Sequence, residues 1–417
     1  RVTSIPEYFG KRFNSKVRFW ATVCLMVYMI GYVGVNLYTM GKVLHHLLGW
    51  DIFIGAVIVA LVSMSYVSSG GQTSVIMTDL FQGVMLLVTG GLILGLGFAY
   101  LGGFDVFWAN LPGDSRKVFH NFNDPGFPSV GIFWQDGLAN SIMFGFLHQG
   151  TIMRYMSARS FKDCKKAVVT HLVVLMPLAA CVVGGAGWLA KALANHGDLP
   201  ASMPADESFY AATQLISQPG IFGLILAAMI AALMSTVDTL ITAISAVWVN
   251  DVHKLYIKKD MTDRQALTVA RLTAIGATVV GIILVPVFMN FDSIYDAHGA
   301  FTAAVTPPLV VTFIFSVFWK RFTAPAALAT LVVGLVAIAF SFFVPEVITP
   351  FAHGVPMGEA GDGLFAGVKQ YKFMRACYGL TICAVVGVVV SFFTRPETKS
   401  LTGLVWEKSF YRSLKTD

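Results

Sequence analysis

Charge is what this chain has least of. Asp, Glu, Lys and Arg make up 12% of its 417 residues, against about 25% in a soluble globular protein. That scarcity excludes a disordered chain and an ordinary soluble enzyme domain. Cysteine is scarce too. The five cysteines, Cys24, Cys164, Cys181, Cys377 and Cys383, form no Cys-x-x-Cys pair. They do not suit a disulfide-stapled secreted module and are expected to be free thiols. No P-loop pattern, no His-Glu-x-x-His and no nucleophile–base spacing occurs, so neither a nucleotide-driven motor nor an intramembrane enzyme is expected. No basic stripe with interleaved aromatics suggests nucleic acid.

Apolar length is what the chain has most of. Hydrophobic residues make up 56% of it, and mean hydropathy is +0.70. About ten segments are long enough to cross a hydrocarbon core of about 30 Å, which needs about 17 residues or more. They run roughly 18–41, 52–68, 75–101, 132–157, 168–190, 220–249, 268–290, 299–319, 324–345 and 374–394. The runs are continuous, without the short alternating segments of a membrane barrel. The expectation is an all-α, polytopic membrane protein forming one domain over 1–417: a lead-in segment 1–17, a membrane bundle 18–394 and a tail 395–417.

Of the 29 Lys and Arg, 22 fall on one set of alternating connectors, which includes both termini. That asymmetry predicts that both ends face the cytoplasm, and an even number of spans agrees with it. A multi-pass protein of the plasma or inner membrane, in contact with the lipid bilayer, is expected. On the opposite side, 102–131 carries an amphipathic set (Phe104, Phe107, Trp108, Leu111) suited to the membrane interface. The Gly-rich connector 346–373 is expected to be mobile.

Ionisable residues within spans are costly and mark function by default. Three stand out. The sixth span reads Ala232-Leu233-Met234-Ser235-Thr236-Val237-Asp238-Thr239. Helical spacing puts Ala232, Ser235, Thr236 and Thr239 on one face, with Asp238 at its flank. Hydroxyls and a carboxylate around a small residue suit a hard cation such as Na⁺. The alternative is that the hydroxyls bond carbonyls of their own helix. At the third span, Gly70-Gly71 makes a turn, and Thr78, Asp79 and Gln82 present oxygens beyond it. A helix-dipole role for Asp79 is the alternative. In the fourth span, Gly145 and Gly150 bracket His148-Gln149, a pattern suited to a broken helix lining a cavity, or to glycine-assisted close packing.

Together these segments resemble the sodium:solute symporters, the family of the sodium/glucose, sodium/proline and sialic acid transporters. Ile5-Pro6-Glu7-Tyr8-Phe9-Gly10-Lys11-Arg12-Phe13 is similar to the family's Pro-Glu-Tyr…Arg-Phe segment. Gly70-Gly71…Thr78-Asp79…Gln82, His148-Gln149…Arg154 and Ala232…Ser235-Thr236…Asp238-Thr239 follow in the family's order. The resemblance implies a leucine-transporter-like fold of two inverted five-helix repeats, with Na⁺ as coupling ion. It implies that the Ala232 carbonyl, Ser235 and Thr236 ligate the main sodium. Asp79, Ser235, Asp238 and Thr239 would surround a second cation position, and His148 and Gln149 would lie near a small-molecule solute.

The family has helices before the Pro-Glu-Tyr segment that supply part of both sites. The resemblance therefore implies a fragment, inactive alone, whose partner is the missing N-terminal helices of the same protein. Sugar-transporting members carry a lysine in the next span and a glutamine near the eighth. Val168–Leu189 has no lysine, and Gly299 stands at the second position. A carboxylate, amino acid or similar polar metabolite is therefore favoured over a sugar. A proton-coupled carrier using Asp238 or Asp79, and a transporter-like solute sensor, are the rival readings.

Overall fold

Helix starts in this chain are written in short polar side chains. Ser4 accepts from Glu7 N–H at the head of α1 (Ile5–Arg12), and Asn14 accepts from Val17 N–H at the head of α2 (Ser15–Leu48). Each satisfies an N–H that the first turn leaves without an intrahelical acceptor. The computed structural model describes residues 2–117, 121–361, 366–396 and 398–407. Arg1, Lys408, Arg412 and Lys415, counted above for orientation, lie outside them.

After α2 come α3 (Ile52–Leu101) and the short α4 (Phe104–Asn110). A helix over 129–147, α5, contains wide π-helical turns at Phe133–Asn140 and Met143–Leu147. It is followed by α6 (Gln149–Met156), α7 (Phe161–His196), α8 (Ala205–Ile216), α9 (Pro219–Ile257) and α10 (Asp263–Phe288). The last elements are α11 (Ile294–Val305), α12 (Pro307–Phe318), α13 (Ala324–Phe343) and α14 (Arg375–Phe393). No strand occurs among the described residues. The core forms where α9 packs against α3 and α2, and where α10 packs against α2. Outward faces stay apolar. Only 6% of the most apolar window of α7 is buried, which lipid explains and water does not.

Among the described residues, seven helices are long and apolar enough to cross a membrane, or eight counting α11 and α12, which bend by 50°. The sequence suggested about ten. The difference has two sources. The segments 52–68 and 75–101 run on as one helix of 50 residues, and the segment 132–157 is cut at His148 into α5 and α6. Straight, α3 would be about 75 Å long, more than twice the hydrocarbon core. It is not straight, because Gly71 has φ 61° and ψ −157°. That conformation is essentially reserved for glycine. Gly71→Ala is expected to cost about 1–3 kcal/mol. Thermal unfolding of the purified protein checks it, and an unchanged midpoint would mean that the break is not held.

The connectors behave unequally. Phe107 and Leu111 are buried while Phe104 and Trp108 are exposed, so α4 is amphipathic as expected. Part of the 346–373 connector is tied to the start of α14. The fully buried Arg375 binds Gly367 O at 2.7 Å, Val368 O at 3.0 Å and Ser341 Oγ at 3.0 Å. All five cysteines are free.

Candidate functional site

The polar face of α9 is first satisfied from within. Ser235 Oγ donates to Ala232 O at 2.7 Å, and Thr239 Oγ1 donates to Ser235 O at 2.7 Å. These are the intrahelical bonds that hydroxyls make when no other partner claims them. Thr236 is half-buried beside them. Ala232, Ser235, Thr236 and Thr239 thus share one face, with their oxygens collected along it.

Asp238 turns elsewhere. It is fully buried, and Oδ2 accepts from the Tyr66 hydroxyl of α3. Oδ1 is buried too, and the hydroxyl of Ser63, one turn before Tyr66 on α3, is buried beside the carboxylate. No Lys, Arg or His forms an ion pair with Asp238 among the described residues. A buried carboxylate needs a cation or a proton. A buried carboxylate with two hydroxyls beside it, those of Ser63 and Tyr66, suits a small hard cation. No cluster of three or more His, Cys, Asp or Glu occurs among the described residues.

Asp79 has a cation of its own. Its Oδ2 binds the guanidinium of Arg154 on α6, and Arg154 Nη2 also donates to Thr239 Oγ1 at 2.5 Å. Arg154 Nη1 reaches Gly150 O at 3.1 Å. Arg154 therefore links α3, α6 and α9. Asp79, Thr239 and Asp238, expected around one cation, are divided here: Arg154 joins the first two, and Tyr66 holds the third. Asp79 Oδ1 and Gln82 Oε1 remain buried without partners.

His148 stands at the break between α5 and α6, with φ −71° and ψ 103°. Its Nδ1 caps α6 by accepting from Thr151 N–H at 3.3 Å, and its buried Nε2 has no partner. Gly150 lets this corner touch α9, since a Cβ there would lie 2.2 Å from Thr239 Cγ2. Gln149 goes to the N-terminal helix instead. Its Nε2 donates to Thr3 O at 3.1 Å, and Ile5 N–H donates to its Oε1 at 3.1 Å.

That N-terminal helix is held by backbone oxygens on its other side. The fully buried Arg12 donates to Ser316 O at 3.2 Å and Phe322 O at 3.1 Å. Lys399 Nζ donates to Phe13 O at 2.7 Å, Tyr8 OH donates to Leu404 O at 2.9 Å, and Trp406 N–H donates to Val317 O at 2.8 Å. Burial alone would raise the pKa of Glu7, but hydrogen bonds from Lys11 and Thr3, with the Lys11 charge, bring it down to about 2.

Sequence reasoning missed Ser63, Tyr66 and the bridging role of Arg154. Ser63 and Tyr66 lie three residues apart in a Ser-rich stretch of an otherwise apolar span, a visible but weak signal. Arg154 was read only as a topology charge and a motif residue.

The Sodium:solute symporter family matches residues 1–334. A sodium/glucose cotransporter of Vibrio parahaemolyticus is 26% identical over 372 residues, covering 82% of this chain and 67% of that protein. A human sodium/myo-inositol cotransporter is 24% identical over 451 residues, covering 98% and 62%. The chain thus spans about two thirds of the length of these relatives. A solved Na⁺-coupled sialic acid symporter, in a substrate-bound outward-open state, superposes with a TM-score of 0.66 at 22% identity, covering 95% of this chain and 78% of that one. The likeness is one of fold.

Proposed function

The chain belongs to the sodium:solute symporter family, a family of transporters and not of enzymes, and from that premise we propose that it serves sodium-driven uptake of a small polar solute by alternating access. The observation that carries this reading is the buried carboxylate of Asp238, which no cationic side chain pairs among the described residues, with the hydroxyls of Ser63 and Tyr66 beside it. In this reading the Ala232 carbonyl, Ser235 and Thr236 ligate the main sodium once the two hydroxyls release their own helix. Asp79, Ser235, Asp238 and Thr239 surround a second cation position, with Arg154 leaving Thr239 when that position fills. His148 faces the solute with its free Nε2, and Gln149 couples the solute side to the N-terminal helix.

The architecture in this reading is a leucine-transporter-like inverted repeat. Dividing α3 at Gly71 and counting α5 with α6 as one broken span brings the number of spans to ten. The bundle over 18–394 lies in the plasma or inner membrane, with the lead-in 1–17 and the tail 395–417 on the cytoplasmic side. The relatives named above are glucose and myo-inositol carriers. Gly299 and the lysine-free stretch 168–189 of α7 favour a carboxylate, amino acid or similar metabolite instead.

The energetics suffice. At 100 mV one sodium is worth about 2.3 kcal/mol, and a tenfold gradient adds about 1.4 kcal/mol. Together they support accumulation of a neutral solute by roughly several hundred-fold. Ion binding that orders α9 and pre-forms the solute site makes each ligand raise the affinity for the other.

The test is thermal stability of the purified protein in NaCl against KCl, with Ser235→Ala and Thr236→Ala alongside. Sodium is expected to raise the unfolding midpoint, and each variant to need several-fold more sodium for the same rise. Equal sodium titrations in all three proteins would remove Ser235 and Thr236 from the site. No sodium effect in folded protein, with uptake driven by a pH step, would make Asp238 a proton carrier.

A further inference from the structure

Basic residues crowd one end of α7. Arg159, Lys162, Lys165 and Lys166 lie close together in sequence, and all four are exposed. No ion pair engages them among the described residues. Asp163, the one acid in that stretch, is taken up by Ser160, whose hydroxyl donates to Oδ2 at 2.7 Å. Two local arguments run against this placement. Lys162 stands three and four residues from Lys165 and Lys166, spacings at which like charges repel. Lys162, in the first turn of the helix, also opposes the macrodipole, which favours anions there.

What the lysines share is a face. Positions 162, 165, 166 and 169 follow the i, i+3, i+4, i+7 spacing of one helical stripe. The stripe begins with three lysines and continues with Val169, which is 50% exposed. Past a π-turn at His171–Leu175 it runs on through exposed Leu172, Val173 and Met176. The opposite face looks inward. Cys164, Val168 and His171 are partly buried, and His171 Nδ1 meets the Tyr155 hydroxyl of α6. The depth fits a headgroup. Between Lys166 and Lys191, α7 carries no Asp, Glu, Lys or Arg. The step between those two lysines rises about 37 Å. That exceeds the hydrocarbon core of about 30 Å and falls short of the about 40–45 Å that includes the headgroups. Lys166 therefore reaches the headgroup layer when α7 crosses the bilayer, and exposed Phe161 adds a ring suited to that interface.

We propose that this end of α7 binds an anionic phospholipid, with Lys162, Lys165 and Lys166 on its headgroup and an acyl chain along Val169, Leu172 and Val173. Juxtamembrane lysines attract acidic headgroups, and a bound anion relieves both the lysine repulsion and the conflict with the macrodipole. Topology alone asks for cations somewhere in the connector. It does not ask for three on the one face that runs on into lipid-facing residues. The inference rests on α7 crossing the membrane, and not on the sodium or solute reading.

The experiment is thermal unfolding of the purified protein in a neutral detergent, titrated with phosphatidylglycerol and with phosphatidylcholine of the same chains. Phosphatidylglycerol is expected to raise the midpoint at a concentration about tenfold lower. The triple variant Lys162→Gln/Lys165→Gln/Lys166→Gln is expected to abolish that difference. The matching triple change to Arg keeps the charge and is expected to preserve it. Lys258→Gln/Lys259→Gln/Arg264→Gln removes three exposed cations from another connector and is expected to preserve it too. All these positions are exposed, and unchanged midpoints without added lipid show that the variants are folded. Glycerophosphate, an anionic headgroup without chains, is expected not to compete. Equal response to the two lipids, or a preference that survives in the lysine-to-glutamine triple, would overturn the proposal. Equal losses in the two glutamine triples would do so as well, since net charge would then explain the effect. Displacement of the lipid by glycerophosphate would make the cluster a site for free anions and overturn it in turn.

Discussion

Arg154→Gln is expected to destabilise the protein by about 3 kcal/mol. Arg154 neutralises Asp79, whose side chain is 15% exposed, and it also supplies donors to Thr239 and Gly150. Breaking a buried pair by removing one partner costs about 3–5 kcal/mol, because the other charge is left without compensation. The 30% exposure of the Arg154 side chain places this pair at the low end. The double variant Arg154→Gln/Asp79→Asn removes the stranded charge and is expected to recover most of the loss. Thermal unfolding of wild type, both single variants and the double variant completes the cycle. A double variant no more stable than Arg154→Gln alone would mean that Arg154 acts through Thr239 and Gly150, not through Asp79.

Asp238→Asn is expected to do the opposite in the absence of sodium. It removes a buried charge that no cation of the protein offsets, so stability in KCl should hold or rise. The sodium response should fall, with at least about tenfold more NaCl needed for the same midpoint shift, equivalent to about 1.4 kcal/mol. Tyr66→Phe separates the two effects. It strips the one hydrogen bond on Asp238 Oδ2, which costs about 1–3 kcal/mol, but leaves the charge for sodium to find. Its baseline should fall while its sodium response persists. An Asp238→Asn protein with a full sodium response would exclude the carboxylate from ion binding.

Much of this arrangement could be read from single residues, and what could not has a physical cause. Gly70-Gly71 announced a break because only glycine reaches the conformation of Gly71. The broken helix near Gly145 and Gly150 was legible as well, although the break falls on His148, whose side chain caps the second half. The free state of the cysteines followed from their spacing. Helix count was less legible, because an apolar run does not show where two spans fuse or where π-helical turns interrupt one. Contacts between helices were least legible. Helical spacing puts Ser235 and Thr239 on one face, but nothing in one sequence says that Arg154 would reach Thr239, or that Tyr66 would reach Asp238. Such pairings depend on the register of α3, α6 and α9 against one another, which packing sets and periodicity does not.

The seam around the N-terminal helix divides its residues into two unequal kinds. Arg12, Lys399 and Trp406 donate to main-chain oxygens of Ser316, Phe322, Phe13 and Val317. A main-chain carbonyl is present whatever side chain a position carries. Over evolutionary time, positions such as Ser316 and Val317 can therefore drift in side-chain identity without loosening the seam, within the limits of packing. Arg12 and Lys399 have no such latitude, because the bond leaves with the side chain. In this corner of the molecule, substitution tolerance is set by which partner bonds through its side chain, as Arg12 and Lys399 do and Trp406, donating its main-chain N–H, does not.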